Sequence, residues 1–180
     1  PIDVLTGDYL AELTMTILYN QKMKRGENLG YVGTFLKQFR DVAKLCNDQN
    51  IKIVSNAGGL NPASMAAEVE NIIKELNLDL KVAYIDGDDL MPRLDELSSS
   101  GEKLKNIDKN NDLFSYEKKP LTANAYLGAW GIKEALDNGA DVVICPRVTD
   151  AAVVIGPAAW KFNWSRNDYD QLAGALAAGH

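Results

Sequence analysis

The sequence predicts an α/β fold, a parallel sheet with helices on both faces. Three observations predict it. Along the 180 residues, apolar runs of strand length alternate with amphipathic helical segments, and such alternation implies parallel crossover units. The runs are continuously apolar, as expected of strands covered on both faces. Each run also exits into Gly, Asp, Asn or Arg, and in sheets of this kind ligands bind beyond the carboxyl ends of the strands. The connections are therefore read as crossover (Rossmann-like), with one site at the strand exits.

The first strand is predicted at residues 2–5, with Thr6-Gly7-Asp8 as its turn. A helix follows from Tyr9, and Leu10, Leu13, Ile17 and Leu18 fall at helical spacing for the core. Residues 21–33 are polar and glycine-bearing, a connection. A second helix is predicted over 34–47, with Phe35, Phe39, Val42 and Leu45 on one side. The run Ile51-Lys52-Ile53-Val54 is the second strand. A helix with Pro62 in its first turn carries Met65, Val69, Ile72, Ile73 and Leu76 inward. The third strand is predicted at 80–85. Residues 98–119 are turn-rich and polar, a loop or insertion. A helix over 129–138 ends at Gly139, the fourth strand spans 141–145, and a helix restarts at Ala151. Trp160, Phe162 and Trp164 fill a core edge in the simplest reading. The small-residue helix over 168–178 ends the chain at Gly179-His180.

The exits hold the candidate chemistry. Ser55-Asn56-Ala57-Gly58-Gly59-Leu60-Asn61-Pro62 reads as a strand-to-helix turn. Its glycines allow positive φ and close approach of a ligand, and the N–H groups of the helix start bind an anion or a carbonyl oxygen. The competing reading is a tight turn with Asn61 as helix N-cap. Asn56, Gly58, Gly59 and Asn61 are thus ligand-binding candidates. Asp8 follows the first strand. Glu12, four residues on, is read as an acid suited to a helix N-terminus. Asp86-Gly87-Asp88-Asp89 gathers three carboxylates that suit a hard divalent cation, with Asp88 and Asp89 as ligands, although the spacing is not that of a calcium loop. A helix cap explains either of them equally well. Arg147 is the only arginine at a predicted strand exit and suits a carboxylate or phosphate. Asp150 pairs with it, holds a ligand hydroxyl, or caps the next helix. Asp8, Asp86 and Asp150 are the acid–base candidates. Asn124, Tyr126 and His180 complete the ligand-binding set.

Composition excludes several classes. A formal net charge of −6 without basic clusters argues against nucleic acid and anionic membrane surfaces. No apolar stretch is long enough to span a bilayer. Cys46 and Cys145, the only cysteines, form neither a disulfide framework nor a zinc pattern. The pair Gly58-Gly59 is neither GxGxxG nor a phosphate loop, so no standard dinucleotide or triphosphate site is expected, and no nucleophile elbow is visible. A start at Pro1 and an end at His180 read as one domain, 1–180, cut from a longer chain. An intracellular, soluble protein is expected, cytoplasmic or mitochondrial.

Several segments together resemble the acyclic terpene utilisation protein A (AtuA) family, formerly a domain of unknown function. They are Gly7-Asp8-Tyr9-Leu10-Ala11-Glu12, Ser55 to Pro62, Asp86-Gly87-Asp88-Asp89, Ala123-Asn124-Ala125-Tyr126-Leu127-Gly128, Arg147-Val148-Thr149-Asp150, and Leu172-Ala173-Gly174 with Gly179-His180. The family usually has a glycine before the arginine, where this chain has Cys145-Pro146. Proline removes an N–H donor, which weakens an anion site built from that backbone. The resemblance implies a place in the catabolism of branched acyclic terpenoids such as citronellol and geraniol, through acyl-CoA intermediates. It also implies neighbouring biotin-dependent acyl-CoA carboxylases and enoyl-CoA hydratases. The expected function is an enzyme on a branched acyl-CoA or the related carboxylic acid, by lyase, hydratase or hydrolase chemistry. The alternative is a non-catalytic binding or assembly subunit of an acyl-CoA carboxylase. No cofactor is named beyond the divalent metal, and the expected partners are the small-molecule ligand, carboxylase subunits and a second copy of the chain.

Overall fold

The structure is a computed structural model that describes residues 2–180. Among the described residues four strands, β1 (Val4–Gly7), β2 (Lys52–Gly59), β3 (Val82–Tyr84) and β4 (Val142–Pro146), form one all-parallel sheet in the order β1-β2-β4-β3. The chain steps from β1 to β2 and then past β4 to β3, before returning between them. Crossovers of one hand place helices on opposite faces when the step direction reverses. Accordingly α2 (Thr34–Gln49) and α3 (Pro62–Glu75) cover one face, while α5 (Trp130–Asp137) and α6 (Ala152–Lys161) cover the other.

Alternation along the central strands feeds the two cores. Ile53, Val142 and Ile144 pack under α2 and α3 with Phe39, Met65 and Val69. Val54, Val143 and Cys145 pack on the other face with Ile132, Leu136 and Val153. Residues 142–148 are all buried, which is why β4 reads as an unbroken apolar run. Burial also pushes the Cys145 thiol far above its ordinary pKa, so it is an inert core residue.

Two helix faces differ from expectation. Helix α1 (Glu12–Arg25) begins at Glu12 rather than at Tyr9. It buries Met15 and Leu18 beside Leu10, Val32 and Leu60 in a small third core, leaving Leu13 and Ile17 71% and 56% exposed. In α2 the buried row is Phe35, Phe39, Ala43 and Cys46, and Leu45 faces water. Both shifts follow from small or polarisable residues at the true contact positions, which pattern reading underweights. Helix α3 buries Met65, Val69, Ile72 and Ile73 as expected.

The third strand is shorter than its apolar run. Between it and α5 lie a 3₁₀ turn (Met91–Arg93), the short α4 (Leu94–Ser99) and an exposed stretch over 100–119 holding one further 3₁₀ turn (Leu113–Ser115). Helix α7 (Tyr169–Gly179) packs on α6, where Gly179 sits so close to Ala151 that a Cβ would come within 2.8 Å of it. Of the aromatic cluster, Trp160 packs against the second core, whereas Phe162 stacks on Trp164 at 5.5 Å. Among the described residues, no helix is long and apolar enough to cross a membrane.

Candidate functional site

The site is best built from β2 outward. This strand does not stop at Ser55 but continues to Gly59, so most of the expected turn is strand. Its register against β4 slips between Ser55 and Gly59. The residues freed from the β4 ladder find other partners. Ser55, the last residue paired with β4 before the slip, donates its Oγ hydrogen to the Gly7 carbonyl at 3.0 Å. The 26–33 connection takes over beside the end of the strand, with Val32 N–H on the Ala57 carbonyl and Leu60 N–H on the Gly30 carbonyl, both at 2.8 Å.

The glycines answer to packing at this point. A Cβ on Gly58 would lie 2.6 Å from the Cys145 carbonyl and 2.9 Å from Ile144 Cγ2, and Gly59 has φ +54°. Asn61 is the helix N-cap: its side chain accepts from Ser64 N–H at 3.2 Å and donates to the Glu27 and Leu29 carbonyls. Asn56 is fully buried, donating to Asp8 Oδ1 at 2.6 Å and accepting from Tyr9 N–H at 2.7 Å. The expected open turn is therefore strand through Gly59 and helix cap at Asn61. The structure commits the side-chain amides of Asn56 and Asn61 to protein partners, and the two glycines admit neighbouring chain.

The four strand exits are nevertheless joined. Asn56 ties the β2 exit to Asp8 at the β1 exit. Beyond β3, Asp88 turns inward and is 4% exposed. Its Oδ2 accepts from Asn124 Nδ2 at 2.8 Å and from the Arg147 backbone N–H at 3.2 Å. Burial raises the Asp88 pKa above the usual carboxylate range, the two hydrogen bonds opposing the shift. The segment around Asn124 runs as a makeshift strand between two exits. Asp89 and Asn124 form an antiparallel bridge, and Leu127 and Val148 a parallel one.

Arg147 stands at the centre. Its side chain is only 3% exposed. Nη1 donates to the Leu10 carbonyl and Nη2 to Asp150 Oδ1, each at 2.8 Å. The Tyr126 ring covers the guanidinium, with Cζ 4.1 Å from the ring centroid, an arrangement stabilised by the ring quadrupole. The Tyr126 hydroxyl donates to Glu12 Oε1 at 2.5 Å. That bond lowers the Glu12 pKa and raises that of Tyr126. Arg147 Nε is the one buried side-chain polar atom without a partner among the described residues.

The structure thus gathers Asp8, Asn56, Asp88, Asn124, Tyr126, Arg147 and Asp150 at one end of the sheet. Asp86 lies exposed at the β3 exit outside this network. His180 follows Gly179, which rests on Ala151, one residue beyond Asp150. For the metal expectation, Asp88 and Asp89 serve separate structural bonds, Asp89 accepting from Met91 N–H at 2.9 Å. Among the described residues no three His, Cys, Asp or Glu side chains gather to hold a metal ion. Glu12 is the site residue that sequence reasoning set aside. Its signal was the spacing of four from Asp8, but its partner Tyr126 is 114 residues away.

No curated protein and no solved structure matches the chain. The model of the acyclic terpene utilisation family protein AtuA matches residues 1–180. That match spans the whole sequence, and the chain belongs to the acyclic terpene utilisation family.

Proposed function

We propose that the strand-exit site around Arg147 belongs to an enzyme of branched acyclic terpenoid catabolism acting on a branched acyl-CoA or the related carboxylic acid. The observation that carries the reading is the buried guanidinium at the carboxyl end of β4, with a donor left unpartnered. A parallel sheet focuses ligands there, and planar bidentate recognition of carboxylate is what arginine does best. Arg147 holds the anionic group, and Asp150 or Asp8, both open to water, act as acid or base. A groove of about 220 Å³ opens beside Asp89, where Tyr19, Met23, Leu60, Met91 and Leu121 are interleaved with Lys22, Glu27 and Thr122. The apolar part of that lining suits a branched hydrocarbon body.

The test is a thermal-shift panel of free CoA, straight and branched acyl-CoAs, the matching acids and divalent metals, followed by turnover assays. A ligand at 100-fold excess over its Kd adds about 2.7 kcal/mol. The expected result is a shift with branched ligands, and turnover that falls when Asp150→Asn or Arg147→Gln is introduced. Unchanged turnover in both folded variants refutes the reading.

A second reading, an assembly subunit for a biotin-dependent acyl-CoA carboxylase, draws on the exposed Leu13 and Ile17, four residues apart on α1. Stable co-purification with a biotin-containing partner, together with no turnover alone, favours it.

A further inference from the structure

Arg147 carries five N–H donors, and the protein uses two of its three nitrogens. The unused Nε and the Nη2 atom lie on the same edge of the guanidinium. That edge accepts the two oxygens of one carboxylate in parallel. Asp150 fills it by half, placing Oδ1 on Nη2 and nothing on Nε. The Asp150 side chain is 48% exposed, and Tyr126, which covers the guanidinium face, is 49% exposed. The buried guanidinium is thus contacted by two side chains that themselves reach water.

We propose that Asp150 is a resident stand-in, and that the ligand of this edge is a free planar carboxylate which displaces it and takes Nε and Nη2 together. This deepens the reading of the Arg147 site given above and rests on it. Charge conservation selects the ligand class. When Asp150 leaves, the buried guanidinium needs a replacement counter-charge, because an uncompensated buried charge is costly. A monocarboxylate restores the balance and adds the missing bond to Nε. A thioester offers one neutral carbonyl oxygen and restores neither. A phosphate dianion brings an extra negative charge beside Glu12 and Asp88, whose carboxylates already face this centre through Tyr126 and the Arg147 backbone.

The experiment uses the full chain and calorimetric titration with 3-methylbutanoate, its primary amide, its CoA thioester, free CoA and inorganic phosphate at matched ionic strength. Removing the competitor by Asp150→Asn is expected to tighten 3-methylbutanoate about tenfold relative to the unmodified chain, the value of one charge-assisted bond no longer given up. The amide and phosphate gain nothing. Arg147→Lys, which keeps the charge but lacks the fork, loses that affinity, and the Nε–H proton resonance of Arg147 moves downfield on titration of the unmodified chain. Equal affinity in the unmodified chain and Asp150→Asn, or undiminished binding in Arg147→Lys, overturns the proposal. Thioester binding that falls in Arg147→Lys, with no binding of the free acid, overturns the carboxylate inference and leaves the acyl-CoA reading standing. Binding of neither acid nor thioester overturns both.

Discussion

Asn56→Ala tests how the site is held. The Asn56 side chain is fully buried and joins β2 to the loop after β1 through two bonds, one to the Asp8 carboxylate and one from Tyr9 N–H. A hydrogen bond to a charged group contributes about 1.5–3 kcal/mol and a neutral one about 0.5–1.5 kcal/mol. Asp8 faces water, so the lower end applies to its bond, while the Tyr9 N–H would lose its acceptor. The sum is about 2–3 kcal/mol. For a chain of this size each kcal/mol lowers Tm by about 2–4 °C, which gives a fall of about 4–12 °C. Thermal and urea unfolding of both proteins measure it. Asn56→Asp sharpens the test by setting a second carboxylate against Asp8. Two carboxylates in that contact cannot both ionise cheaply, so one acquires a raised folded-state pKa. Its contribution is then favourable at low pH and lost as pH rises through that value. Asn56→Asp is expected to be less stable than Asn56→Ala at pH 7 and to recover towards pH 5. A loss below about 1 kcal/mol in Asn56→Ala, or no pH recovery in Asn56→Asp, refutes the claim that this amide pins the two exits.

Other predictions follow from single contacts. Gly58→Ala drives a Cβ against the Cys145 carbonyl, and backbone cannot step aside as a side chain can, so a loss of about 1–3 kcal/mol is expected in chemical denaturation. The Asp88 pKa is raised in the fold, chiefly by burial. Stability from this group is therefore full below its unfolded pKa and declines as pH rises through the folded value. Asp88→Asn should flatten that slope in a pH series of unfolding curves, and an unchanged slope would count against burial as the cause. Tyr126→Phe removes the hydroxyl that lowers the Glu12 pKa, so a carboxyl-detected NMR titration should show Glu12 moving up towards the ordinary range.

The chain's own sequence was enough to indicate the parallel α/β class, because strands covered on both faces must be continuously apolar and must alternate with crossover helices. It was also enough to indicate that polar side chains collect at the strand exits, since Asp8, Asn56, Asp88 and Arg147 each follow an apolar run. The family could be read from motifs that recur in one order. Other features needed the third dimension. The order β1-β2-β4-β3 depends on which gap the returning strand fills, a choice that local pattern does not encode. Continuation of β2 to Gly59 depends on the 26–33 connection supplying backbone partners, and a dipeptide of glycines reads equally as an open turn or as a place where another chain passes. The same amide that looks free for a ligand in Asn56 or Asn61 is free only if no buried donor or acceptor claims it first. Glu12 and Tyr126 meet across 114 residues, and Arg147 is left with one bare nitrogen only because Leu10 and Asp150 take the others. Local residue types set what each group can do. Packing decides which groups are already occupied, and so which one remains for chemistry.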